Sequence, residues 1–184
     1  MTETDIIKYC KSGDAKGFRI LTEKYASKLF GVCLRYMQDE DEAKDVLQDS
    51  FVKIFKNIDK YKPVGSFESW LVRITITTSL MALRKKKNGF SYLDAVENDN
   101  WYVEPVVEQV LNEEDILNMI LKLPYHYRII FNLYVIDGYS QREIAELLQI
   151  KDSTVRTKLT RARKKMQEIY LQEINTKKII NKCD

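Results

Sequence analysis

At 184 residues, with 45% hydrophobic and 31% charged side chains, the chain can form one medium domain or two small ones and has the composition of a folded protein. Cys10, Cys33 and Cys183 are far apart and form no C-x-x-C pair, which argues against a disulfide framework or zinc site and favours a reducing compartment. No apolar run approaches the ~18 residues of a membrane span and the start, MTETDIIKYC, is unlike a signal peptide, so a cytoplasmic location without membrane insertion is expected, while a net charge of +3 is too small to name a partner.

With six Gly and three Pro, long helices and few turns are expected. Asp14 is placed to cap a helix whose apolar positions are Phe18, Leu21, Tyr25, Leu29, Val32 and Tyr36, a three-and-four spacing that marks one buried face. Cys33 on this helix is expected to pack as a small hydrophobe. Asp39-Glu40-Asp41-Glu42 then supplies negative charge where a helix amino terminus favours it. The second helix is predicted to bury Ala43, Val46 or Leu47, Phe51, Ile54, Phe55 and Ile58, and to present Asp45, Gln48, Asp49 and Lys53. Lys62-Pro63-Val64-Gly65 breaks the chain, and Ser66 can cap a third helix with a stripe of Phe67, Trp70, Leu71, Ile74, Thr78 and Met81. Arg73 lies off that stripe, and the helix runs into the basic Arg84-Lys85-Lys86-Lys87 end. The pattern of this first module is equally that of a plain three-helix bundle with solvated charges.

From Asn88 to Asp115 there is no Lys or Arg, while Asp94, Glu97, Asp99, Glu104, Glu108, Glu113, Glu114 and Asp115 fall in the same stretch. With Gly89, Pro105 and no sustained helical period before about Val106, it reads as a linker. Some 25 extended residues at ~3.3 Å each reach on the order of 80 Å, enough for two duplex sites more than one turn apart.

Beyond it, Ile116, Leu117, Ile120 and Leu121 begin a short helix that ends before Pro124. Ile129, Ile130, Leu133 and Ile136 form the next stripe, closed by Asp137-Gly138. Ser140-Gln141-Arg142-Glu143 is a capping box, and the helix behind it carries Ile144, Ala145, Leu147 and Leu148. Asp152 or Ser153 is expected to cap a last helix with Val155, Leu159, Ala162, Met166 and Ile169 inward. Ser153, Thr154, Arg156, Thr157, Lys158, Thr160, Arg161, Arg163 and Lys164 are expected to face outward. Two short helices around a tight turn, the second basic and rich in hydroxyls, form a helix-turn-helix signature suited to a major groove. From Lys151 to Asp184 ten Lys/Arg stand against four Asp/Glu, and the tail after Tyr170 is expected to fray. Basic ends flanking an acidic spacer suggest two modules that touch polyanion, joined by a segment that does not. His126 between two tyrosines suits a surface or capping role. No Ser-His-Asp arrangement, phosphate-binding glycine loop or metal spacing appears, so neither catalysis nor a cofactor is expected.

These residues resemble the extracytoplasmic-function (ECF) group of bacterial sigma factors. Asp45-Val-Leu-Gln-Asp-Ser-Phe51 and Phe67-Glu-Ser-Trp-Leu-Val-Arg-Ile74 resemble region 2. Leu123-Pro-Tyr-His-Tyr-Arg128, Tyr139-Ser-Gln-Arg-Glu-Ile-Ala145 and Ser153-Thr-Val-Arg-Thr-Lys-Leu-Thr-Arg-Ala-Arg163 resemble region 4. The matches run in order from about Phe18 to Met166. The resemblance implies an all-α protein with region 2 at 1–88, an acidic linker at 89–113 and region 4 at 114–184. It implies that Asp45, Gln48 and Asp49 dock on core RNA polymerase, a polar acidic face suited to a basic coiled coil. It assigns Tyr61, Lys62, Ser66, Trp70, Arg73, Thr77, Arg84 and Lys85 to the promoter minus-ten element. It assigns Ser153, Thr154, Arg156, Thr157, Lys158 and Arg161 to the minus-thirty-five element. Core polymerase, promoter DNA and an anti-sigma factor are the implied partners. The chain departs from the pattern at Thr77, where the family usually has Asn. It departs again at Gln149, where the turn usually holds Gly, and in Arg156 and Lys158, which exchange the usual Lys and Arg. An ordinary helix-turn-helix regulator that binds duplex alone remains the competing reading, with a nuclease a distant third.

Overall fold

The computed structural model describes residues 2–86 and 112–180, and among these there are eight α-helices and no strand. The chain divides into two compact units, Met1–Asn88 and Gly89–Asp184. The acidic stretch read as a linker lies, up to residue 111, outside the described residues, as do Lys87 and Cys183.

The first unit holds α1 (Glu3–Lys11), α2 (Ala15–Tyr36), α3 (Glu40–Asn57) and α4 (Phe67–Lys86), with a short 3₁₀ turn at Ile58–Lys60. The sequence reading missed α1. Its signal was present: Thr2 and Asp5 form a capping box, and Ile6 and Cys10, four apart, fill the core. α1 meets α2 at near backbone contact, because a Cβ on Gly17 would lie 2.6 Å from Cβ of Tyr9 and 2.7 Å from N of Cys10. The Tyr25 hydroxyl adds a 2.9 Å hydrogen bond to Glu3, and burial followed by that bond pushes its pKa up, so it remains a donor.

Asp14 caps α2 through a 2.8 Å bond from Lys16 N, and Asp39 caps α3 by accepting from Asp41 N and Glu42 N. The core gathers Leu21, Tyr25 and Leu29 of α2, Phe51 and Ile54 of α3, and Phe67 and Leu71 of α4. Met81, expected inside, is 60% exposed. α4 packs against both α2 and α3, so its covered arc is wider than one stripe and takes in Thr75, Ile76, Ser79, Leu80 and Leu83 instead. The buried hydroxyls satisfy themselves on their own helix: Ser50 on Val46 O at 2.7 Å, Thr75 on Leu71 O at 3.0 Å and Ser79 on Thr75 O at 2.9 Å. Burial pushes the Cys33 thiol up to about 12 and Cys10 to about 11, as suits packed, unreactive thiols.

The second unit holds α5 (Glu113–Lys122), α6 (Tyr125–Phe131), α7 (Gln141–Leu148) and α8 (Asp152–Ile180). Asn112 caps α5 with a capping box to Asp115. Met119, Ile120, Leu123, Tyr127, Phe131, Ala162 and Ile169 form one core, while Ile116 stays exposed. After α6 the chain widens into a π turn at Asn132–Ile136, with Asp137 N bonding Asn132 O at 2.9 Å. The wider turn rotates the end of this segment away from the 3.6-residue stripe. Ile136, expected inside, is therefore exposed beside Val135.

Ser140 and Glu143 cap α7 as expected. The turn to α8 rests on Gln149, at φ 58° and ψ 44°, the one non-glycine residue with positive φ among those described. Ile150 N closes it on Ala145 O at 3.1 Å, the bond of a Schellman turn. α8 begins at Asp152, so that residue is the helix's first rather than its cap, and the helix continues to Ile180 where fraying was expected.

This packing sets two stability outcomes. Gly17→Ala forces a methyl group onto the α1 backbone and should cost about 1–3 kcal/mol, read as a lower urea midpoint at unchanged slope. Gln149→Gly relieves the left-handed strain, less the entropy that glycine adds to the unfolded chain. It should stabilise by about 0.5–1 kcal/mol, read by thermal melting, and a lower melting temperature would contradict it.

Candidate nucleic-acid and polymerase interface

Three sets of side chains were expected to act together, and the structure treats them differently. On α3, Asp45, Gln48 and Asp49 are all exposed, opposite the buried Ala43, Val46, Ser50 and Ile54. Spacings of three and four residues place them on one stripe. Lys44 answers Glu40 and Asp41 at 3.0 and 3.2 Å, whereas among the described residues Asp45 and Asp49 make no ion pair. The stripe continues one step further to Val52, which is 48% exposed. Sequence reading passed over Val52, since a lone valine on an amphipathic helix gives no signal of which face it joins.

The loop between α3 and α4 hangs from an aromatic wedge. Tyr61 is only 7% exposed, with ring centroids 5.0 Å from Phe67 and 5.3 Å from Trp70. Trp70 itself stacks on Phe67 at 5.7 Å. Both residues expected to meet DNA are thus held by the core: Tyr61 is buried and Trp70 half-buried. Lys62 and Ser66 are exposed, and Ser66 caps α4 by accepting from Ser69 N at 3.0 Å. The tip between them carries Val64, 89% exposed, and Gly65 at φ 88°, a value that favours glycine.

Beyond the wedge, Arg73, Thr77 and Arg84 recur at intervals of four and seven on one side of α4, within about 40° of arc at 100° per residue. Arg73 and Lys85 are exposed, and Arg84 and Thr77 are half-buried. The Thr77 hydroxyl, where the sequence pattern led one to expect an amide, donates back to Arg73 O and Ile74 O at 3.0 and 2.9 Å. This side of α4 therefore carries Arg73 close to the aromatic wedge and further cations in its last turn, a surface suited to a strand of nucleic acid.

On α8, Ser153, Arg156, Thr157 and Thr160 share the exposed stripe. Arg156 lies 3.5 Å from Asp152, and the Thr157 hydroxyl donates to Ser153 O at 3.0 Å. Thr154 and Arg161 are half-buried at its edges, and Arg163 lies over the Tyr134 ring at 5.2 Å. Lys158, expected to face outward, does not join them. It follows Val155 by three residues on the core side, is 4% exposed, and holds its ammonium 5.7 Å from the centre of the Tyr127 ring. Its stem packs, and the aromatic face gives its ammonium a favourable contact.

His126 sits in the first turn of α6 with its ring edge-on to Tyr127 at 4.1 Å. Among the described residues no group of three or more His, Cys, Asp or Glu could hold a metal ion, and no helix is long and apolar enough to cross a membrane.

The comparisons with known proteins match the same division. Residues 21–89 match the family model for Sigma-70 region 2, and residues 113–166 match that for Sigma-70 region 4. The ECF RNA polymerase sigma factor SigW of Bacillus subtilis is 33% identical over 175 residues, covering 88% of this chain and 93% of that protein. The ECF RNA polymerase sigma-E factor of Escherichia coli K12 is 27% identical, covering 89% and 91% respectively. A solved structure of the sigma factor RpoE with the anti-sigma factor NepR, from Bartonella quintana, is similar in fold, with a TM-score of 0.52 and 20% identity over 85% of this chain and 98% of that one. With its two regions in this order and a relative this similar along nearly its whole length, the chain belongs to the ECF group of RNA polymerase sigma factors.

Proposed function

We propose that this protein is an alternative-type sigma factor that binds core RNA polymerase, directs it to specific promoters and promotes strand opening. The observation that carries this reading is the α3 stripe, two exposed carboxylates and an amide left without ion pairs among the described residues and continued by an exposed valine. Carboxylates left uncompensated on a rigid helix suit a basic partner helix, and a neighbouring apolar contact gives such an interface a dry centre. A regulator acting on duplex alone has no use for such a face.

In this reading the loop at 61–66 and the exposed cations of α4 engage the minus-ten strand. An extruded base costs a few kcal/mol of unstacking. Stacking returns about 1–3 kcal/mol per base, and cationic side chains supply the rest. Ser153, Arg156 and Thr157 read the minus-thirty-five element from the exposed stripe of α8, without Lys158. The expected partners are core polymerase, promoter DNA and an anti-sigma factor, and the protein acts in the cytoplasm without catalysing a reaction itself.

The double charge reversal Asp45→Arg with Asp49→Arg leaves the α3 core intact and should weaken core-polymerase binding at least about tenfold, from charge terms of about 1 kcal/mol or more each. Equal capture of core polymerase by the variant would remove the assignment. Arg156→Ala should cost about 1–3 kcal/mol of promoter affinity. The loss should appear only on templates with an intact upstream element in transcription with purified core polymerase. A loss of the same size on every template would deny Arg156 a base-reading role.

A further inference from the structure

The family model for region 2 begins at residue 21, so α1 and the first turns of α2 lie ahead of everything it describes. Yet α1 is built firmly into the first unit: Ile6 and Cys10 lie in the core, Gly17 admits it to near backbone contact, and Glu3 holds Tyr25. From the last turn of this helix Lys11 reaches across fifty residues of sequence, and its ammonium donates a 3.2 Å, part-buried hydrogen bond to the backbone carbonyl of Tyr61.

Tyr61 is the residue from which the loop at 61–66 departs. Its ring is wedged against Phe67 and Trp70, and its hydroxyl closes back on Gly65 O at 3.4 Å. At the far end Ser66 is tied to Ser69. These contacts hold the side chain of Tyr61 and the end of the loop, but the ring can stay wedged while the peptide plane after Tyr61 turns. That plane, at ψ 121°, sets the direction in which Lys62 to Gly65 leave the core. A charged donor on its carbonyl resists that rotation.

We infer that Lys11 is a positioning residue for promoter opening: by fixing the Tyr61 carbonyl it presets the loop that receives the minus-ten strand. The inference rests on the reading of this loop as the minus-ten element's site, and it makes α1 part of the opening machinery rather than a mere extension of the core.

The test compares the full-length wild type with Lys11→Met, which keeps the aliphatic stem without the donor, and Lys11→Arg, which restores a charged donor. Each is assembled with core polymerase, and opening is followed by 2-aminopurine fluorescence in the minus-ten region. Lys11→Met should slow opening about three- to tenfold, the range that the net contribution of one partly exposed hydrogen bond gives. Core affinity and the salt dependence of DNA binding should match wild type, and Lys11→Arg should recover most of the rate. Normal opening by Lys11→Met would overturn the inference, as would failure of Lys11→Arg to recover or a loss of core affinity in step with the rate. A salt slope lower by about one would make Lys11 a direct phosphate contact and overturn it too. If wild type opens no promoter, it is the functional reading itself that fails.

Discussion

A helix buries one side against its neighbours, and among the described residues the four α-helices of each unit supply no second layer to cover the other. That constraint organises both halves of this protein. α3 gives Ala43, Val46, Phe51 and Ile54 to the core and is left with Asp45, Gln48 and Asp49 on water. α8 gives Val155, Leu159 and Ala162 and is left with Ser153, Arg156, Thr157 and Thr160. Exposed ion pairs contribute little to stability. What distinguishes the two free faces is their chemistry: carboxylates that make no ion pair among the described residues on one, and on the other a guanidinium beside Asp152 with hydroxyls bonded to their own helix.

Rigidity behind those faces comes from close approach rather than from bulk. Gly17, Ser50, Thr75 and Ser79 are small residues at buried positions, and the hydroxyls among them bond to their own helices, so a polar seam is buried without an unmet donor. The aromatic wedge of Tyr61, Phe67 and Trp70 then fastens the loop to the start of α4. Trp70 is accordingly part of the core, its half-buried ring held between Tyr61 and Phe67. The second unit makes a comparable adjustment with polar groups. Arg128, buried, bonds Leu121 O at 3.2 Å and ties α6 to the end of α5, while Lys158 is drawn onto Tyr127. A basic helix thus spends one of its cations on its own support.

Much of this was legible beforehand because the physics is local. Caps at Asp14, Ser66 and Ser140 depend on residues two or three apart, and each was readable as written. The stripe on α2 and the polar face of α3 come from the helical period alone. So did the place of the helix-turn-helix, whose turn keeps its left-handed residue although Gln149 replaces the glycine that the resemblance led one to expect. α1 was equally local and was overlooked, because nine residues with two core positions give a short period to detect.

The sequence by itself therefore determined the helical class and most of each free face, since both depend on spacing within one helix. Tertiary packing alone decided which neighbouring positions crossed from one side to the other. Met81 lies outside because α4 packs against both α2 and α3 on its other sides, and Ile136 because a π turn adds a residue to the count. Lys158 lies inside, where the Tyr127 ring of α6 presents its face to the ammonium. The bond from Lys11 to the Tyr61 carbonyl was beyond any pattern, because nothing in a local spacing specifies which distant carbonyl a lysine will reach.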